Sequence, residues 1–215
     1  LWNPRKQISM DTPTRLFLIR HAEVAEPYHR VFGGRIDMDL SAEGERQASA
    51  LGRYLASRLF DAVYASPMKR VQQTLARWDR VRSCPDTVVN GFREVDFGDW
   101  TGLSWDQVQE KFQTGAHRWL DELDRGLIPG AESAAGFRER VATPLQEVLK
   151  KHTGQQVVVA CHGGVIRMML SILLDIPLPK MARFEFDYAS VTVVQVLPHK
   201  TEVHLANFTP WRDHL

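Results

Sequence analysis

The feature that most constrains this chain is a short apolar run, Arg15-Leu-Phe-Leu-Ile19, that stops abruptly at Arg20-His21. Such a run is too short for a buried helix and has the length and composition of a buried strand. A second run of the same kind, Gln155 to Cys161, is almost continuously apolar, with Val157, Val158, Val159 and Ala160, and stops at His162-Gly163-Gly164. Continuous apolar runs mark strands covered on both faces. Between them lie amphipathic stretches at helical spacing. Ala48, Leu51, Leu55 and Leu59 follow an N-cap at Ser41 with Glu43 and Glu45 in the first turn, and Val71, Leu75 and Trp78 follow Ser66-Pro67, read as a cap with proline at the first helical position. Asp61–Ser66 and Thr87–Val89 read as further strands, and two more are expected near 184–196 and 202–208.

Strands alternating with helices predict an α/β fold, a three-layer sandwich with a mainly parallel sheet and helices on both faces. From Ser104 to His152 the pattern is helical, within a stretch 92–153. Ser104 and Gln107 suit a capping box, Phe137, Val141, Leu145 and Val148 form an apolar stripe after Ser133, and Pro144 should kink it. This stretch reads as a helical lobe inserted over the sheet edge that carries the histidines. Residues 1–14 read as a tail, and 15–215 as one domain. The first residue is Leu1, so Met10 is expected to be the natural start, or residues 1–9 an extension.

Composition excludes several classes of partner. There are 27 Lys and Arg against 26 Asp and Glu, with no long basic run, which argues against nucleic acid and anionic membranes. The greasiest stretch, 165–176, is interrupted by Arg167, Ser171 and Asp175 and is too short to span a bilayer. Cys84 and Cys161 are too few for a disulfide framework, and no secretory segment is visible, so a cytoplasmic location is expected.

In open α/β sheets ligands bind at the carboxyl ends of the strands. The sequence puts Arg20-His21, Arg70, Glu94 and His162 after successive strands, all at that edge. Planar guanidinium forks match phosphate oxygens, and Gly163-Gly164 opening a helix would offer backbone N–H groups to the same anion. Two imidazoles, two guanidiniums and a carboxylate suit phosphoryl transfer through histidine, with fixed positive charge where other phosphatases use a metal.

These residues are similar to those of the histidine phosphatase superfamily, also called phosphoglycerate mutase-like. LIRHAEV (18–24) resembles its Arg-His-Gly motif, with Ala22 in the glycine's place. SPMKRVQQT (66–74) resembles its Ser-Pro-x-x-Arg-x-x-x-Thr block, REVDFGDWTG (93–102) its acid block and VACHGGVIR (159–167) its second-histidine block. FGGRIDMDLSAEG and PGAES also recur in such proteins.

The resemblance implies that His21 is phosphorylated and that Arg20, Arg70 and His162 hold the phosphoryl oxygens, with Gly163, Gly33 and Gly34 also binding phosphate or substrate. Glu94 would protonate the leaving alkoxide and then activate water. It implies no metal and no cofactor. The expected activity is a phosphomonoesterase acting on a small phosphorylated metabolite, such as a sugar phosphate or the ribazole phosphate of cobalamin assembly, with a homodimer left open. A mutase-type transfer is the alternative, disfavoured because resembling mutases carry longer inserts between the acid and the second histidine. A catalytically silent phosphate- or protein-binding module is a further alternative, disfavoured because each catalytic position is filled.

One rival reading is local. Cys161 to Arg167 has the Cys-x-x-Gly-x-x-Arg spacing of cysteine phosphatases, but it leaves the Arg20-His21, Arg70 and Glu94 blocks unexplained. Of the remaining histidines, His204 is expected to face water and the others carry no assigned role. Arg118 and Arg125, with the 26–36 loop, are candidates to select the substrate.

Overall fold

A computed structural model of the chain describes residues 12–78 and 86–213. Strands β1 (Thr14–Arg20), β2 (Ala62–Ala65), β3 (Asp86–Val88), β4 (Gln156–Cys161), β5 (Val191–Leu197) and β6 (Lys200–Phe208) form one sheet in the order β3-β2-β4-β1-β5-β6. Neighbours from β3 to β1 are parallel, whereas β5 pairs antiparallel with β1 and β6 antiparallel with β5.

The side chains of each central strand divide between two cores, because successive residues of a strand point to opposite faces. Leu16, Leu18, Val157, Val159 and Cys161 face α5 (Ala134–Lys151) and α6 (Gly163–Leu174). Phe17, Ile19, Val158 and Ala160 face α1 (Ala42–Ala56) and α2 (Lys69–Ala76). Burying each such Val, Leu or Ile stabilises by about 1.5–3 kcal/mol, so a one-residue slip of β1 against β4 would misplace both cores at once. The expected three-layer α/β sandwich is therefore present.

Topology then positions the chemistry. β1 and β4 lie side by side with Arg20 opposite Cys161, yet β1 leads on to α1 on one face and β4 to α6 on the other. A crevice opens where neighbouring strands send their connections to opposite sides. His21 and His162 are the residues immediately past the two strand ends.

Several local expectations need correction. Thr14 belongs to β1 and is buried, with its hydroxyl donating to His152 O, so it is not tail; residues 1–11 and Cys84 lie outside the described residues. Ser66 does not cap α2, which begins at Lys69 after Met68; its hydroxyl is engaged by His162 and Met68 instead. Leu59 lies past the end of α1 and is 86% exposed. Ser41, Ser104 with Gln107, and Ser133 do cap α1, α3 (Trp105–Phe112) and α5.

The expected lobe over 92–153 divides in two. Its first part, with α3 and α4 (Trp119–Asp124), surrounds the site, whereas α5 packs beside α6 as a layer of the sandwich. Helix α5 runs continuously through Pro144; the carbonyl of Arg140, which the proline cannot bond, packs against Gly91, where a Cβ would lie 2.3 Å from it. Residues 184–190 are not strand, because β5 starts only at Val191. A short helix, α7 (Pro210–Asp213), ends the described chain against α1.

Candidate active site

The carboxyl ends of β1, β2 and β4 converge on a cavity of about 450 Å³ lined by Arg20, His21, Arg70, Glu94, Gly163 and Gly33, among others. Its floor is made of buried ionisable groups. His21 and Arg70 are 6% and 2% exposed, and His162, 0% exposed, lies behind them without lining the cavity itself.

His21 is held in one tautomer by two independent contacts. Nδ1 lies 2.8 Å from Ala22 O, an acceptor only, so Nδ1 carries the proton. Nε2 lies 3.2 Å from Arg70 Nε, a donor only, so Nε2 keeps its lone pair. Burial, then the charges of Arg70 and Arg20, hold the imidazole's pKa well below its ordinary value, so the ring is neutral at pH 7. The backbone beneath it is pinned as well: Ala22 N–H donates to Thr74 Oγ1, and Thr74 in turn donates to Arg70 O. Ala22 is fully buried, so the methyl in the glycine's place is accommodated.

Arg70 comes from the first turn of α2. Its Nη1 and Nη2 donate to Ile36 O (2.8 Å) and Gly34 O (3.1 Å). Gly34 thus orients the guanidinium through its carbonyl, at a backbone φ of +46° that favours glycine. Gly33 also lines the cavity, and a Cβ there would strike Met38 Cε at 2.2 Å. Arg20 lies over the Tyr188 ring at 4.1 Å and donates through Nη1 to Phe186 O, while its buried Nε has no partner.

The second imidazole sits with its ring centroid 5.2 Å from that of His21. Its Nε2 is 2.9 Å from Ser66 Oγ, which also accepts from Met68 N–H. His162 Nδ1, the other ring nitrogen, is buried without a partner. Burial and the Arg70 charge keep this ring neutral too. Ser66, expected as a helix cap, is a positioning residue for His162 that its place in the Ser-Pro block did not reveal.

Glu94 reaches the cavity from the loop after β3. Its Oε2 accepts from Gly164 N–H at 3.2 Å and its Oε1 from Val95 N–H at 3.0 Å. The α6 amide expected to face the anion thus anchors the carboxylate instead. A Cβ at Gly164 would stand 2.5 Å from Glu94 Oε1, so a side chain there would push the carboxylate from this position. Arg140 on α5 fixes the loop, donating to the carbonyls of Gly91, Arg93 and Glu94 while paired with Glu132 of the PGAES segment. Helical periodicity alone had no means of singling out Arg140.

Other expectations divide. Arg118 and Arg125 pair with Asp121 on the exposed side of α4 and do not line the cavity. The 26–36 loop does, through Tyr28, Val31 and Phe32. His204 is exposed beside Glu202, as expected. His117, given no role, also lines the cavity, and His152 is a core histidine bonded to Tyr64 and Gln155. Cys161 is fully buried, and burial pushes its thiol pKa far up, against a thiolate nucleophile. Among the described residues, no group of three or more His, Cys, Asp or Glu side chains could hold a metal ion, and no helix is long and apolar enough to cross a membrane.

Comparison with known proteins points the same way. The family model described as histidine phosphatase superfamily (branch 1) matches residues 16–209. Phosphoserine phosphatase 1 of Hydrogenobacter thermophilus is 33% identical over 196 residues, 91% of this chain and 92% of that protein. The metal-independent phosphoserine phosphatase of Arabidopsis thaliana is 31% identical over 157 residues, 72% of this chain and 66% of that protein. In fold, the chain resembles the alpha-ribazole phosphatase of Shigella flexneri with a TM-score of 0.78 at 22% identity, covering 91% of this chain and 96% of that one.

Proposed function

The chain belongs to the histidine phosphatase superfamily, and on that premise we propose that it is a metal-independent phosphomonoesterase working through a phosphorylated His21 on a small phosphorylated metabolite. One observation supports this most: a neutral, tautomer-locked imidazole lines a cavity between two guanidiniums, with Arg20 Nε and His162 Nδ1 buried and unpartnered beside it. A buried donor without a partner, as Arg20 Nε is, calls for an acceptor. A phosphoryl group brings three acceptor oxygens.

His21 Nε2 attacks phosphorus in line with the bond to the leaving alcohol, and that P–O bond breaks. Glu94, entering protonated, gives its proton to the departing alkoxide oxygen. Arg70 shifts its Nε donor from His21 to a phosphoryl oxygen as the lone pair is used. In the second half, Glu94 takes a proton from water, the water oxygen attacks phosphorus, and the N–P bond returns its electron pair to Nε2 with release of inorganic phosphate. Positioned acid–base catalysis of this kind contributes roughly 10²–10⁴-fold. Fixed cations facing the transferring group supply electrostatic stabilisation. A cytoplasmic location suits a chain with two cysteines, of which Cys161 is free and buried.

The test is phosphate release from phosphoserine and 3-phosphoglycerate in excess chelator, with rapid quenching to trap phosphate on His21. Undiminished release with an acid-labile phosphoryl group on His21 is expected. Isomerisation of 3-phosphoglycerate outpacing release would favour a mutase, and no release from any ester would favour a silent module.

A further inference from the structure

Beyond the phosphate end, the same cavity forms a chamber lined mainly by apolar and aromatic side chains. Tyr28, Val31, Phe97, Trp105, Trp119 and Phe186 line it, drawn from the 26–36 loop, the acid block, α3, α4 and the 184–190 segment. Phe97 meets Trp119 edge-on at 5.2 Å, so these two rings form one continuous wall. Trp105, the first residue of α3, is 46% exposed, with Arg30 above its ring at 5.1 Å. Large exposed apolar side chains that border a catalytic cleft mark a ligand-contacting surface.

Charge in the chamber is sparse. Apart from the phosphate-facing groups, the charged or titratable imidazole, acid and guanidinium groups lining it are Arg167, His117 and Glu185. Arg167 is committed elsewhere: Nη1 and Nη2 donate to Gly163 O and Phe184 O, and burial draws its pKa down to about 10. Arg167 keeps only its buried Nε without a partner, and Arg30 lies over the Trp105 ring at the outer edge. A cavity of about 450 Å³ also exceeds what a three-carbon phosphate fills; it falls among cavities that hold drug-sized ligands, roughly 300–1,000 Å³.

Resting on the phosphatase reading above, we infer that the leaving alcohol carries a flat, mainly apolar body, and that Trp105 is a specificity-determining residue that covers it. Each ~60 Å² of apolar surface covered corresponds to roughly tenfold in binding.

The experiment compares kcat/KM for three esters: 2-(2-naphthyl)ethyl phosphate, propyl phosphate and phosphoserine. The two alkyl alcohols are similarly acidic, so their ratio reports binding rather than leaving-group chemistry. We expect the naphthyl ester to exceed both others by about tenfold or more. Trp105→Ala, and separately Val31→Ser, should shrink the naphthyl-to-propyl ratio several-fold, mainly through KM. Equal values, a preference for phosphoserine, or a ratio untouched by both variants overturns the inference while the phosphatase reading stands. Absence of phosphate release from all three overturns both.

Discussion

The two ends of the cavity are built in opposite ways. At the phosphate end the side chains come from strand ends, the first turn of α2 and the loop after β3; they are buried or half-buried, and bonds to main-chain atoms or to their neighbours fix them: His21 to Ala22 O, Arg70 to Ile36 O and Gly34 O, Glu94 to two backbone amides. At the leaving-group end the residues come from irregular segments and short helices, and Trp105, Tyr28 and Val31 are only partly covered. Preorganised charge suits a transition state that is the same for every ester. A partly covered apolar surface discriminates among the groups that vary. The division teaches that chemistry and selectivity reside in separable parts of one cavity.

Replacing His21 with Ala should break the phosphate end outright, lowering phosphate release from every ester by at least ~10⁴-fold, read with p-nitrophenyl phosphate. Glu94→Gln comes next. Loss of the acid should cost about 10²–10⁴-fold for alkyl esters and less for p-nitrophenyl phosphate, whose leaving group needs little protonation. Equal losses on both esters would mean that Glu94 positions rather than protonates. Gly164→Ala, which drives a methyl group into Glu94 Oε1, should lower kcat by roughly tenfold on all esters alike. A change confined to the aromatic ester would dissolve the division between the two ends.

A pH prediction follows from the two buried imidazoles. Their folded-state pKa values lie below the unfolded value of 6.5, so below that pH the unfolded chain binds more protons. Their contribution is complete above pH 6.5 and is lost as pH falls from there through the folded values. The loss is up to about 1.4 kcal/mol per pH unit per histidine, measurable as a falling Tm between pH 7 and 5 that His162→Gln makes shallower. The smallest expected effect is that of Cys161→Ser, which should leave kcat/KM unchanged because the thiol is buried away from the cavity.

The phosphate end was legible in the sequence because it obeys a local rule: an apolar strand ends, and the next residue is polar. Arg20-His21, His162 and the α/β alternation all follow it, and Arg70 stands in the first turn of the following helix. The other end obeys no such rule. Phe184, Phe186 and Tyr188 alternate as in a strand, yet the main-chain carbonyls of Phe184 and Phe186 are held by Arg167 and Arg20 from other parts of the chain, and the segment stays irregular. Arg118 and Arg125 looked available for substrate, but at three and four residues from Asp121 they meet it along their own helix. Ser66 satisfied the pattern of a helix cap; only the sheet, by bringing β4 beside β2, supplied His162 as a better partner.

The contacts on His21 have one more consequence. Ala22 O and Arg70 agree on which ring nitrogen bears hydrogen, so the imidazole awaits its electrophile in the protonation pattern that the attack demands. No proton has to migrate around the ring between turnovers; relocating one guanidinium donor from nitrogen to oxygen uncovers the reactive electron pair, and the arriving dianion is itself the lure for that cation.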